Sequence, residues 1–240
     1  MKPNLKSLTL YLGVESATVS HTERIVSAAG GFLGILCVAT VTPLWVDLAG
    51  TTLLLASMGA SAVLLFAVPH GQLSQPWAVI GGHLLSAFVG VTCARWVPHP
   101  AFAAAAAVGL SILVMYYLRC LHPPGGATAF AAVIGGDATR ALGYQFLVTP
   151  VLVDTALIVS VAVLFNAFFP WRRYPSALSG GRVQNMPEAG RGEPGAISHE
   201  DFVFALSQID SFVDVSEEDL VRIYLLATRH SRESSGRGNV

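Results

Sequence analysis

Charge is what this sequence has least of. Only 12% of its 240 residues are Asp, Glu, Lys or Arg, about half the share of an ordinary soluble domain. Between Ile25 and Phe169 the charged residues are Asp47, Arg95, Arg119, Asp137, Arg140 and Asp154 and no others. Such a stretch excludes a water-soluble enzyme spread over the whole length, and a net charge of -1 excludes a generally basic nucleic-acid binder. Cysteine is scarce as well. Cys37, Cys93 and Cys120 stand singly inside apolar runs, without the close spacing of a zinc or CxxC site, and read as small buried hydrophobes. The first 23 residues have polar side chains interspersed throughout and lack the short apolar core and cleavage site of a secretory signal peptide, so none is expected. Neither GxSxG nor HExxH occurs; catalysis is not expected, nor is a cofactor or a metal.

What remains is apolar: 53% hydrophobic residues and a mean hydropathy of +0.58. These values point to an all-α protein, a polytopic membrane helix bundle. A spanning helix needs about 20 mainly apolar residues to cross about 30 Å of hydrocarbon. Ile25 to about Val46, Trp77 to Val97, Ala101 to Leu121 and Gly143 to Phe169 meet that length, and Thr51 to Pro69 nearly does. Gly125 to Gly136, at 12 residues, makes about 18 Å of helix and is too short to span alone. Five to six membrane segments are therefore expected, one of them short or broken. Gly30, Gly31, Gly34, Gly59, Ala60, Ser61, Gly81, Gly82, Ser86, Gly90 and the alanines from Ala103 to Ala107 supply the small faces through which membrane helices pack.

Lys2, Lys6 and Arg24 flank the first segment and Arg172 and Arg173 follow the last. By the positive-inside rule both ends are cytoplasmic, in a cell (inner) membrane, and the number of crossings is even. Residues 1–24 form an N-terminal segment in which Leu5, Leu8, Tyr11 and Leu12 suggest an amphipathic helix; residues 25–170 form the transmembrane domain. Residues 171–197, rich in Gly, Pro, Ser and Arg, read as a flexible linker. Within 198–232, Ser198 followed by Asp201 and Ser216 followed by Asp219 open two runs of helical periodicity, a small cytoplasmic helical hairpin, with 233–240 a disordered tail. The acidic group Asp210, Asp214, Glu217, Glu218 and Asp219 lacks the glycine and glutamate of a calcium-binding loop.

The least ordinary stretch is Arg119-Cys120-Leu121-His122-Pro123-Pro124-Gly125-Gly126-Ala127-Thr128-Ala129. Two prolines cannot donate to the preceding turn and push the residues before them out of helical geometry, so the helix breaks. Irregular backbone at membrane depth survives where it is buried in protein or faces a watery cavity. Pro124 suits the first turn of a new helix, whose free amides at Gly125, Gly126, Ala127 and Thr128, with the helix dipole, favour an anion. His122, Arg119 and the Thr128 hydroxyl add donors or charge. A tight surface loop, with His122 and Arg119 reaching into headgroups, is the other reading that local chemistry leaves open.

Asp154, 11 residues into its 27-residue segment, and His83, following Gly81 and Gly82, are costly in hydrocarbon and mark function by default. Asp154 is expected to couple a proton or substrate or to form a structural ion pair, with Arg119 as a candidate partner. His83 is expected at the substrate. Asn166 and Gln75-Pro76 are weaker candidates, and Arg95 and Arg140 read as topological anchors.

Gly59 through Phe66, Gln75-Pro76 leading to Ile80-Gly81-Gly82-His83, His122 through Ala129, and Pro150 through Asn166 with Arg172-Arg173-Tyr174-Pro175 together resemble the HPP family of integral membrane proteins, in order, over residues 24 to 175. That resemblance implies a transporter. Plant plastid relatives are associated with nitrite transport, and nitrite is a small anion, in agreement with the helix-terminus argument. It carries over His122, Pro123, Pro124, Gly125, Ala127 and Thr128, with Gly81, Gly82 and His83, as important positions. It also implies four spans, against five long segments and a short one. The expected function is transmembrane transport of a small anion, nitrite first, its partners being that anion and the lipid bilayer, in a monomer or homo-oligomer. The alternative is a membrane-anchored sensor or scaffold that uses the hairpin to bind a partner.

Overall fold

A computed structural model describes residues 19–44 and 48–179 and, further along, 215, 220, 223, 224 and 228. Most of the expected N-terminal amphipathic segment, the greater part of the linker, nearly all of the helical hairpin and the tail lie outside the described residues. Those described are helical, with no strand among them.

Helix α1 (His21–Val41) starts at Ser20, whose hydroxyl accepts the Glu23 amide at 3.1 Å, the side-chain cap that a helix N-terminus needs. At 21 residues it is about 31 Å long. Its small face is buried: a Cβ on Gly30 or Gly34 would collide with the Phe66 ring of α2 (Leu48–Ala67), so those glycines let the two helices close. Helix α3 (Pro76–Trp96) is the most enclosed, burying eleven residues from Ala78 to Cys93, Gly81, Gly82, Ser86 and Gly90 among them. Helix α4 (Pro100–Tyr117) buries Ala103, Ala104 and Ala107 of its alanine run.

The chain then breaks and restarts as the short α5 (Pro123–Ile134), followed by α6 (Gly136–Leu142) and, after two irregular turns, α7 (Val153–Ala167). Among the described residues, four stretches are long and apolar enough to cross a membrane by themselves: His21–Leu44, Pro76–Trp96, Pro100–Tyr117 and Gly136–Ala167. The expected span from Thr51 falls in α2, where Leu53–Ala67 is a shorter apolar stretch. Outward-facing Phe32, Phe102 and Leu164 are exposed, the apolar coat of a bundle whose solvent is lipid. Trp77, Tyr117 and Trp171 are exposed near helix ends, where interfacial aromatics belong.

Two expectations need correction. Gly143 to Phe169 is not one helix: Thr149 leaves helical geometry at φ -129°, ψ 110°. Pro150 is the cause, since it disfavours helical backbone at the residue before it and has no amide to donate. The flexible linker does not begin at 171 either. Arg172 and Tyr174 are buried; the Arg172 guanidinium pairs with Glu23 and donates to the Phe66 carbonyl, to Ser27 Oγ at 3.0 Å and, through Nε, to Asn166 Oδ1 at 3.0 Å. Burial lowers the Arg172 pKa and the Glu23 carboxylate opposes that shift. The Tyr174 hydroxyl donates to the Ser74 carbonyl at 2.7 Å, and burial raises its pKa. The Glu23–Arg172 pair puts the start of α1 and the end of α7 at the same end of the bundle.

Candidate functional site

Helix α4 ends in a tight cap. The Cys120 amide donates to the Met115 carbonyl at 2.9 Å and the Arg119 amide to the Tyr116 carbonyl at 3.2 Å, with Arg119 in the left-handed region at φ 53°. This pair of bonds is the Schellman arrangement, in which the left-handed position is usually glycine. Cys120 and Leu121 then carry the chain to His122, the N-cap of α5, and the prolines occupy the first turn of the new helix, where a missing amide costs nothing.

The break sets His122 inside the bundle. Its side chain is fully buried, so the surface-loop reading of the motif is excluded. Gly82 and Gly125 make the placement possible: a Cβ on Gly82 would stand 2.7 Å from His122 Cβ, and one on Gly125 would stand 2.8 Å from the Gly82 carbonyl oxygen and from Ser86 Oγ. Lower down, a Cβ on Gly90 would lie 2.6 Å from the Ala129 carbonyl oxygen. The backbones of α3 and α5 thus touch along most of the short helix.

Five polar side chains meet here, from three helices and the motif, all of them fully buried: Ser57 and Ser61 of α2, His83 of α3, His122, and Thr128 of α5. Ser61 Oγ lies 2.8 Å from His83 Nε2 and 2.9 Å from His122 Nε2. His83 Nδ1 lies 2.7 Å from Thr128 Oγ1, which lies 3.0 Å from Ser57 Oγ. At the other end His122 Nδ1 lies 2.7 Å from the Leu73 carbonyl oxygen, in the turn between α2 and α3. The two imidazoles stand edge to face, 5.0 Å between centroids. Five polar residues fully removed from solvent are tolerable because each finds partners.

The structure therefore gathers His83, His122, Pro124, Gly125 and Thr128, all buried. It does not bring the others in. Pro123 and Ala127 are exposed on the outer side of α5 and Gly126 is half-buried, because a helix of this pitch turns those positions away from α3. The Arg119 side chain is exposed, directed away by the left-handed cap. Asp154 is not its ion-pair partner: Asp154 Oδ1 accepts from Thr42 Oγ1 at 2.7 Å, at the far end of α1 from Glu23, while Oδ2 has no partner among the described residues. Asn166 supports Arg172 and Leu65. Gln75 ties the α2–α3 turn to Ser176. Arg95 and Arg140 are exposed.

Ser57 and Ser61 were missed as site residues. Their signal was legible: two hydroxyls four positions apart on one face of the apolar stretch Leu53–Ala67. The Leu73 carbonyl carries no sequence signal, being backbone.

Comparison with known proteins agrees with this architecture. Residues 16–175 match the transmembrane region of the HPP family, a span that holds helices α1 to α7. A transmembrane protein of Dictyostelium discoideum is 39% identical over 148 residues, covering 60% of this chain and 52% of the relative. A second from the same organism is 35% identical over 148 residues, covering 60% of this chain and 47% of the relative. The chain spans about half the length of these curated relatives. No solved structure matches it. The chain belongs to the HPP family of transmembrane proteins.

Proposed function

We propose that this protein carries a small anion across the membrane, nitrite being the first species to test, and that the anion rests at the cluster of His83, His122, Ser61, Ser57 and Thr128. One observation carries the reading. Two imidazoles and three hydroxyls are buried beside the first turn of α5, and none of their hydrogen-bond partners is a carboxylate. Donors that can orient toward a guest, next to the positive end of a helix dipole, favour negative charge. Among the described residues a cation would find no anionic ligand there.

In the conformation described these groups satisfy one another. An anion would take the bridging place of the Ser61 hydroxyl, accepting from both imidazoles, and the α2–α3–α5 contact would open to admit it. Gly82, Gly90 and Gly125 at the α3–α5 contact favour such movement, since they put no side chain of their own across it. The cationic flanks Arg24 and Arg172 share one end of the bundle, which supports placing that end in the cytoplasm.

The test is nitrite uptake by proteoliposomes containing the full chain. Uptake well above that of protein-free vesicles, lowered at least about tenfold by His122→Ala, is expected from the loss of a principal donor. Wild-type vesicles that take up no nitrite, or a His122→Ala protein that transports undiminished, would overturn the reading.

A further inference from the structure

The cluster has a direction. A carbonyl oxygen can only accept, so the bond to Leu73 requires that His122 Nδ1 carry its hydrogen. With His122 neutral, Nε2 is then an acceptor and the Ser61 hydroxyl must donate to it. Ser61 has one hydrogen, so His83 Nε2 donates to Ser61 Oγ. His83 Nδ1 is then an acceptor, and Thr128 donates to it. Every hydrogen in the row points toward Leu73, and the two histidines carry their protons on opposite nitrogens.

Each hydroxyl also has a second acceptor. Ser61 Oγ lies 3.2 Å from the Ser57 carbonyl oxygen, Thr128 Oγ1 3.5 Å from that of Pro124, and Ser57 Oγ 2.8 Å from that of Leu54. An extra proton can thus sit on either imidazole with no donor left facing a donor. If it enters at His83 Nδ1, the Thr128 hydroxyl turns to Ser57 Oγ or Pro124. If it sits at His122 Nε2, the Ser61 hydroxyl turns to Ser57. Passage between the two balances: the His83 Nε2–H bond breaks as an O–H bond to Ser61 forms, the old Ser61 O–H bond breaks, and the His122 Nε2–H bond forms. One positive charge moves and no atom is lost.

Among the described residues, the other titratable or charged side chains on the elements packed around the pair are Cys93 and Arg95 of α3, Tyr116 and Tyr117 of α4, Arg119 and Cys120 before the motif, His70 in the α2–α3 turn and Asp154 of α7, of which Arg95, Tyr116, Tyr117 and Arg119 are exposed. His70 bonds the Trp171 carbonyl and Asp154 bonds Thr42, so no carboxylate is hydrogen-bonded to either imidazole. A buried imidazolium needs a counter-charge. Given the small-anion reading above, on which this step rests, we propose that His83, Ser61 and His122 form a two-site proton relay that takes up one proton together with the anion, making transport a proton–anion symport.

Two measurements on the full chain test it. In lipid nanodiscs, nitrogen-15 spectra of the imidazoles, assigned through His83→Gln and His122→Gln, should give a neutral His122 protonated at Nδ1 and a neutral His83 protonated at Nε2. The same tautomer on both overturns the relay. In proteoliposomes with a trapped pH dye and the membrane voltage clamped by potassium and valinomycin, nitrite entry above the protein-free background should acidify the interior by about one proton per anion. Ser61→Ala should slow that acidification roughly a hundredfold, as losing a positioned proton carrier does. Ser111→Ala, at a buried serine of α4 outside the cluster, should not. Nitrite entry without acidification, or an undiminished proton flux in Ser61→Ala, overturns the relay and leaves the anion reading standing. If no nitrite enters at all, the anion reading falls and the tautomers decide the relay alone.

Discussion

Gly125 and Gly126 are neighbours in one motif, yet the structure predicts opposite responses to the same substitution. An alanine methyl at 125 would stand 2.8 Å from the Gly82 carbonyl oxygen and 2.8 Å from Ser86 Oγ. Ser86 can turn, but the carbonyl is part of the α3 helix and cannot move without the helix. Forcing a methyl into such a contact costs about 1–3 kcal/mol, and rigid backbone puts it at the upper end; alanine recovers about 1 kcal/mol of helix propensity. Gly125→Ala should therefore destabilise by about 1–2 kcal/mol. At 126 the nearest atom is Val108 Cγ1 at 3.9 Å, ordinary contact, so Gly126→Ala keeps the propensity gain of up to ~1 kcal/mol. The two variants should differ by about 2–3 kcal/mol, which for a chain of this size separates their melting midpoints by roughly 5–10 °C. Thermal unfolding in detergent, followed by circular dichroism against the parent, measures it. A Gly125→Ala protein that melts at or above Gly126→Ala would mean that α3 and α5 do not touch as described, and the cluster that depends on their contact would go with it.

Other positions make equally direct predictions. Arg172→Met strands Glu23, Asn166 and the Phe66 carbonyl, and should lower the unfolding free energy by about 3–5 kcal/mol, read as a large loss of melting temperature or of folded yield. Arg119→Gly should raise stability by about 1 kcal/mol, since glycine takes φ 53° without the left-handed penalty, and should leave nitrite uptake intact because the Arg119 side chain is exposed; loss of uptake would return Arg119 to the site. Ser111 Oγ is buried without a partner among the described residues, so Ser111→Ala should be neutral or stabilising by up to ~1–2 kcal/mol. Tyr174→Phe removes the bond to Ser74 and should cost about 1 kcal/mol. Because burial raises the Tyr174 pKa, the neutral phenol's share of stability is complete below the ordinary tyrosine value, about 10, and fades as pH rises above it; the parent should therefore lose stability at alkaline pH that Tyr174→Phe does not lose.

How far the residues disclosed the structure depended on whether the deciding interaction was local. The break at His122-Pro123-Pro124 and the restart of a helix were legible because proline acts on its own neighbours. The same rule applied at Pro150, where a long apolar run outweighed it and a kink was read as continuous helix. Small residues on α1 and α3 correctly marked packed faces, since close approach leaves few other choices. Sequence order could not assign partners across helices. Asp154 was matched with Arg119 by charge, whereas Thr42 lies beside it. Ser61 was read as packing, whereas it bridges two histidines 22 and 61 positions away. Arg119 looked like a ligand because it precedes the motif by one turn, but a left-handed cap turns the chain between them.

The α2–α3 turn joins these parts. The Leu73 carbonyl fixes the His122 tautomer, while the next carbonyl, of Ser74, accepts from Tyr174. Ser74 Oγ donates to Val68 at 2.7 Å, Gln75 Oε1 accepts from the Ser176 amide and hydroxyl at 3.0 Å each, and Gln72 Nε2 donates to the Val215 carbonyl at 3.1 Å. One short turn thus bears both the end of the histidine row and the anchors of the chain beyond α7. A displacement of residues 174–176 must shift the Ser74 and Gln75 backbone, and a shift of even a few tenths of an ångström at Leu73 alters the hydrogen bond that sets the polarity of the buried cluster. Tyr174→Phe consequently has a second readout: if the turn is the link, the His122 imidazole resonances should move although Tyr174 and His122 share no hydrogen bond. Resonances unchanged to within linewidth would show that the turn holds its shape without the tyrosine, and that residues 174–176 and the histidine row are structurally independent.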